Sequence, residues 1–251
     1  MGMTAIEKVL AAKSGRDRVR PGDIVVCRPD LVVQLDLLFS MKGLWFKPKK
    51  VFDPERIAVV FDHAVPAPTV DDANGMREGR AFVKKWGIER FFDVGRHGIV
   101  HVVLAEEGLV RPGELLVCAD SHTCAAGAFN CAGRGIGGID TLQALTKGVV
   151  WYPVSPTVRY EFIGKLPASV SGKDVLFHIA EVYGSHGNTS IEFGGPGLAA
   201  LSMSDRRTIA TMCAEISAEF VLFDYDDVTD AYLRPRLKSP AAPVAADRDA
   251  D

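Results

Sequence analysis

Apolar runs of strand length alternate with stretches of helical period along the first 150 residues of the chain. Thr4 can cap a first helix that carries Ile6, Val9 and Leu10 on one face and ends at Gly15. Residues 23–27 read as a buried strand, and 31–39 as a helical stretch. The run Ile-Ala-Val-Val-Phe at 57–61 is the next strand. Residues 69–86 then show a helical pattern with Met76, Phe82, Val83 and Trp86 towards the core. Residues 115–119 form a third apolar run and 139–147 another helix. Apolar strands that do not alternate with polar positions, separated by amphipathic helices, predict parallel sheets covered on both faces. The fold class is α/β.

From Pro153 the pattern changes. Residues 157–163 alternate as a half-exposed strand does. Ser171 with Asp174 three positions on predicts the capped start of a helix that ends at Gly184. A helix over 204–218 and a strand over 220–223 follow. Residues 239–251 have linker composition and no packing pattern. This reading divides the chain into a first α/β domain over 1–152, a second, smaller one over 153–238, and a linker-like tail over 239–251.

Composition adds mainly exclusions. Of the 251 residues, 47% are hydrophobic and 24% charged, which is ordinary for a globular chain. A formal net charge of −3 gives no electrostatic footprint for nucleic acid or an anionic membrane, so neither is expected as a partner. The apolar runs are too short to span a bilayer. The N-terminus lacks a basic stretch before a long apolar segment, so the expected location is the cytoplasm. Five cysteines, an odd number with no C-x-x-C pair, point to reduced thiols rather than a disulfide framework.

Polar residues at the strand ends carry the chemistry. In parallel sheets ligands bind beyond the carboxyl ends of the strands. The strand at 57–61 runs into Asp62-His63, that at 115–119 into Asp120-Ser121-His122, and that at 24–27 into Arg28-Pro-Asp30. An acid beside a histidine fixes the ring's tautomer and raises its basicity, which suits proton transfer, although each Asp taken singly can equally be a helix cap. His101 becomes a partner candidate if it lies near Asp120. His178 reads as a packed helix residue, while His97 and His186 stay open. Gly133-Arg-Gly-Ile-Gly-Gly138 matches G-x-G-x-x-G, but a tight backbone path explains it better than a dinucleotide site.

With these residues in place, the chain resembles the aconitase superfamily, in particular its two-subunit 3-isopropylmalate dehydratase and homoaconitase branch. The segments that carry the resemblance are Phe61-Asp-His-Ala-Val-Pro-Ala-Pro68, Gly98-Ile-Val-His101, and Pro112-Gly-Glu-Leu-Leu-Val-Cys-Ala-Asp-Ser-His-Thr-Cys124. Gly135-Ile-Gly-Gly-Ile-Asp140, Ile191-Glu-Phe-Gly194 and Ala200-Leu-Ser-Met203 extend it. The resemblance implies aconitase-type parallel sheets flanked by helices. It also implies hydro-lyase chemistry on a hydroxy di- or tricarboxylic acid, a [4Fe-4S] cluster, a separate small (swivelling-domain) subunit, and a place in leucine biosynthesis. In its terms Asp62 and His63 assist the leaving hydroxyl, His101 pairs with Asp120, Ser121 lies beside the site, and His122 pairs with Glu192.

The chain also departs from this pattern. Pro29 precedes Asp30 where the family usually has His or Gln, and Val102 follows His101 where it usually has Gln. Met212-Cys213 replaces an Asn-Met step, and Glu215-Ile-Ser-Ala218 replaces a Glu-x-Gly-Ala end. The cluster-binding cysteines of the family lie beyond the matched region, so no ligands for the cluster are expected in this chain. The leading expectation is a hydro-lyase large-subunit portion truncated before its cluster-binding domain and inactive alone. The alternatives are a non-catalytic carboxylate- or partner-binding module of the same fold, and a nucleotide-binding domain using the glycine-rich loop. A rim built to be roofed would leave 44–46 and 125–129 exposed.

Overall fold

A computed structural model describes residues 2–41, 43, 45–240 and 242–250. Helix α1 (Ala5–Ser14) opens with a complete capping box between Thr4 and Glu7 and closes at Gly15. Strand β1 (Ile24–Cys27) is followed directly by β2 (Leu31–Leu35) and the short helix α2 (Asp36–Ser40). The expected helix over 31–39 is therefore a strand for its first half. Every residue of β2 is buried, as in the centre of a parallel sheet, where the β-branched Val32-Val33 packs better than in a helix. Strand β3 (Ile57–Val60), helix α3 (Val70–Trp86), strand β4 (Arg90–Phe92) and helix α4 (Val100–Glu106) come next. Strand β5 (Leu115–Cys118), a short-pitch helical segment over Ser121–Phe129, strand β6 (Ala132–Gly135) and helix α5 (Gly138–Lys147) complete this part.

These strands form a five-stranded parallel sheet in the order β4-β3-β2-β5-β6. The chain winds outward from β2 to β4, then returns to lay β5 on the other side of β2, so a topological switch point lies between β2 and β5. Beyond the carboxyl ends of such a pair, neighbouring loops diverge and leave a crevice. β1 is not part of this sheet. It pairs antiparallel with β7 (Val150–Pro153), and Asp30 after it bonds Lys13 and the Leu115 amide at the start of β5. The third expected strand-end cluster thus lies at the opposite edge.

The remaining chain supplies β8 (Thr157–Glu161), α6 (Gly172–Tyr183), β9 (Ser190–Gly194), α7 (Met203–Met212), β10 (Val221–Phe223) and α8 (Asp227–Leu233). Strands β10, β9 and β8 make a second parallel sheet in that order. Helix α6 begins at Ser171 with a Ser171–Asp174 capping box, as its sequence predicts. His178 on this helix is exposed rather than packed. Two apolar clusters hold the elements together, and each draws residues from both sides of position 152.

Two further expectations, the linker-like tail and the exposed flanks, are corrected. The tail is docked: Val244 exchanges two hydrogen bonds with the buried Asn130 side chain (2.8 and 3.0 Å), and Asp247 exchanges two with Met3. Residues 125–129 are packed rather than exposed. The glycines of the G-x-G stretch lie inside β6, where a Cβ on Gly133 or Gly135 would collide with the carbonyls of Thr123 or Asp120. Close packing of β6 on the 121–129 segment requires them. Phe46 is exposed and Trp45 is packed between Phe39 and Phe82, while Leu44 lies outside the described residues. No described helix is long and apolar enough to cross a membrane.

Candidate functional site

The site grows out of the switch point. β3 and β5 both pair with β2 in parallel register, so their carboxyl ends open on one edge and deliver Asp62-His63 and Asp120-Ser121-His122 side by side. β2 delivers Asp36 between them. Its carboxylate is buried and accepts three consecutive amides, from Asp62 (3.1 Å), His63 (3.1 Å) and Ala64 (2.7 Å). Three charge-assisted bonds to one loop fix the position of His63. Reading 31–39 as one helix hid this residue, because it hid the end of β2.

Asp120 is the centre. One carboxylate oxygen meets His101 Nε2 at 2.7 Å and accepts the His122 amide at 2.8 Å, and the other lies 3.3 Å from His63 Nε2. Burial pushes the Asp120 carboxyl up, but the His101 hydrogen bond and charge, the His122 amide and His63 outweigh it and hold the group at about 2. It is therefore a carboxylate at any working pH. Asp62 accepts the Val100 amide at the first turn of α4 (2.8 Å), which sets His101 on the next residue, and stands 3.7 Å from His63 Nδ1. The result is an unbroken line Asp62–His63–Asp120–His101. Its acids and His101 are largely covered, while 35% of the His63 side chain stays open to solvent.

His122 faces the other way. Its Nδ1 is 3.2 Å from Ser121 Oγ, and its Nε2 is 2.8 Å from Glu215 Oε1. The expected partner, Glu192, is not there. Its carboxylate accepts the Ile6 amide at 3.0 Å and lies 3.9 Å from Arg159, and burial pushes its carboxyl up. Alternation along β9 explains this: Ile191 and Phe193 point into the cluster shared with α7, so Glu192 points to the opposite face, against α1. The sequence signal for Glu215 was the Glu-x-x-Ala end after α7, where the acid sits on the short turn Cys213–Ile216.

That turn ends at Ser217 in the left-handed region, φ 62°. This is the position where the resemblance places glycine. An L side chain there costs on the order of 1–2 kcal/mol, and the Ser217 side chain is exposed. Ser217→Gly is expected to raise stability by about 0.5–1 kcal/mol, read as a higher denaturant midpoint at unchanged slope.

The thiols do not fit a metal cage. Cys27, Cys118, Cys124, Cys131 and Cys213 are all free and buried, and burial pushes the Cys27 thiol up to about 11 and that of Cys124 to about 12. Burial raises Cys118, Cys131 and Cys213 as well. Cys124 and Cys131 donate to the Thr211 and Glu114 carbonyls in separate places. Among the described residues no group of three or more His, Cys, Asp or Glu side chains is arranged to hold a metal ion. A cluster needs several converging thiolates. Anaerobic incubation of this chain with iron and sulfide is expected to leave no thiolate-to-iron band in the visible spectrum. A stable stoichiometric chromophore lost on Cys124→Ala would contradict this.

A profile of the aconitase family (aconitate hydratase) matches residues 11–250. The chain is similar to the 3-isopropylmalate dehydratase large subunit of Mycolicibacterium smegmatis, with 52% identity over 250 residues, 100% of this chain and 59% of the relative. The large subunit of the same name from Caldanaerobacter subterraneus subsp. tengcongensis is 40% identical over 256 residues, 100% of this chain and 61% of the relative. That from Helicobacter hepaticus is 37% identical over 256 residues with the same coverage, 100% and 61%. The chain thus spans about three fifths of the length of these relatives.

Proposed function

This chain belongs to the aconitase family, and we propose that it is the acid–base portion of a 3-isopropylmalate-type hydro-lyase large subunit. On this reading it dehydrates and rehydrates a hydroxy di- or tricarboxylic acid, works in the cytoplasm in leucine biosynthesis, and acts with a separate small subunit. The observation that carries the reading is the Asp62–His63–Asp120–His101 line at a parallel-sheet switch point, with His122–Glu215 beside it.

Dehydration requires one group to take a proton from carbon next to a carboxylate and another to protonate the departing hydroxyl. Asp120 holds His101 in one tautomer through Nε2, so the imidazole can store a proton stabilised by a fixed negative charge. His63 lies between Asp62 and Asp120 and is the most open member, which suits delivery of a proton to the leaving hydroxyl. His122, held by Glu215, and Ser121 offer a second proton-handling pair on the flank. Asp36 acts through the loop it pins and is a positioning residue.

Family membership implies a [4Fe-4S] cluster, which would polarise the hydroxyl as a Lewis acid. The thiols described above do not fit it, so its ligands are assigned to parts outside this chain. The test is to complete the chain with the remaining two fifths of the Mycolicibacterium smegmatis relative, add that organism's small subunit and load the cluster anaerobically. Addition of 3-isopropylmalate is expected to produce the ultraviolet absorbance of an unsaturated dicarboxylate. A folded, cluster-loaded assembly with no turnover on this acid or on homologous hydroxy di- and tricarboxylates would refute the reading.

A further inference from the structure

A cavity of about 400 Å³ opens beside the site just described, with His101 in its wall. Its other side is α7. Ser204, Thr208 and Thr211 stand on that helix at spacings of four and three, so they share one face, and the same face leads down to Glu215 on His122. Arg207 lines the same cavity one helical step away. Its side chain is half-buried, and among the described residues its guanidinium has no hydrogen-bond or ion-pair partner.

Arg20, Arg28, Arg77, Arg90 and Arg248 also have no side-chain partner among the described residues, but each is exposed, whereas Arg207 is half-buried. The neighbouring Arg206 is fully buried and paired with Asp226, and Arg159 and Arg134 are paired with Asp224 and Glu219. A solvated surface arginine is the ordinary explanation for an unpaired one, and it would lie away from cavities. Arg207 instead lines a concavity shared with the proton-handling His101. Apolar side chains complete the lining: Ile99 (64% exposed) and Val102 at the start of α4, and Met212 at the end of α7.

We propose that Arg207 is a specificity-determining residue that binds one carboxylate of the substrate, with the Val102–Met212 wall taking its branched apolar substituent. The inference rests on the hydro-lyase reading and adds to it the residue that recognises the second carboxylate. A guanidinium offers two parallel N–H donors that match a carboxylate's oxygens, and next to a low-polarity wall that bond is strengthened. With one carboxylate on Arg207 and the alkyl branch on the apolar wall, the carbon between them faces His101. A free phosphate presents similar oxygens but has neither a branch for the wall nor a carbon for His101.

The test titrates this chain with 3-isopropylmalate, with 2-hydroxy-4-methylpentanoate, which lacks one of its carboxylates, and with inorganic phosphate, following the histidine ring C–H resonances. The dicarboxylate is expected to move the His101 signal, and Arg207→Met to weaken its binding about 10- to 100-fold, with Arg207→Lys retaining part. The monocarboxylate is expected to bind wild type and Arg207→Met alike, and all variants to unfold at the wild-type denaturant midpoint. If Arg207→Met leaves dicarboxylate affinity within about twofold while His101 still reports binding, the assignment of Arg207 fails and the hydro-lyase reading stands. If neither organic acid moves His101 at any concentration, the assignment of Arg207 fails, and the hydro-lyase reading is decided by turnover of the completed assembly. If phosphate binds as tightly as the dicarboxylate and as dependently on Arg207, without moving His101, the residue serves a general anion site and the assignment is overturned.

Discussion

Asp120→Asn is expected to lower kcat of the completed, cluster-loaded enzyme by about 10²–10⁴-fold, the usual range for losing a positioned acid–base group. The carboxylate touches three parts of the site: His101 Nε2 at 2.7 Å, His63 Nε2 at 3.3 Å and the His122 amide at 2.8 Å. An amide can reproduce one acceptor but not the charge, and its NH2 would confront a histidine N–H. The imidazole would then turn or change tautomer, and no fixed negative charge would stabilise a proton on it. The pH dependence of stability should change as well. The folded carboxyl sits at about 2, below the ordinary aspartate value near 4, so its stabilisation is present above the unfolded value and is lost as pH falls towards 2. Wild type should lose stability across that window more steeply than Asp120→Asn. Steady-state turnover and acid-unfolding curves check the two halves, and a variant within fivefold of wild-type kcat would remove Asp120 from the mechanism. Glu192→Gln serves as the contrast, because Glu192 bonds the Ile6 amide on the far face of β9 and should leave kcat near wild type.

What the sequence made legible follows from the range of the physics involved. The Asp62-His63 and Asp120-Ser121-His122 pairs could be placed because apolar runs mark strands, and parallel strands end together. The α6 capping box was legible because all its groups lie within four residues. Asp36 was not, because a run of Leu, Val and Gln carries no local sign that tertiary burial will make it strand rather than helix. The pairing of His122 was not legible either, since it joins residues 93 positions apart. The resemblance offered Glu192 alone, and the alternation of β9 turns that acid to the opposite face. The docking of the tail depends on Asn130, whose left-handed backbone and side-chain amide meet Val244 across 114 positions. Composition alone reads such a segment as a linker.

Arg206→Met is expected to destabilise the chain by about 3–5 kcal/mol, the cost of leaving half of a buried ion pair behind. No part of the Arg206 side chain reaches solvent. Its two terminal nitrogens bond both Asp226 oxygens at 2.7 and 2.6 Å, the Thr229 hydroxyl at 3.0 Å and the Leu198 carbonyl at 2.7 Å. That fork ties α7 to the start of α8, where Asp226 is also the N-cap and accepts the Thr229 amide. Burial pushes the Asp226 carboxyl up, and the Arg206 bonds bring it below its ordinary value; without Arg206 only the cap and solvent would offset burial. Asp226→Asn in the Arg206→Met background removes the stranded charge while keeping a capping side chain, so it should recover a substantial part of the loss. Arg207→Met, one residue along the same helix, should stay within about 0.5 kcal/mol of wild type. Because α7 carries the cavity wall and leads to Glu215, the Arg206 variant should also lose ligand response at His101 and His122 in proportion to its unfolded fraction. Equal denaturant midpoints for the Arg206 and Arg207 variants would show that this fork does not hold α7 in place.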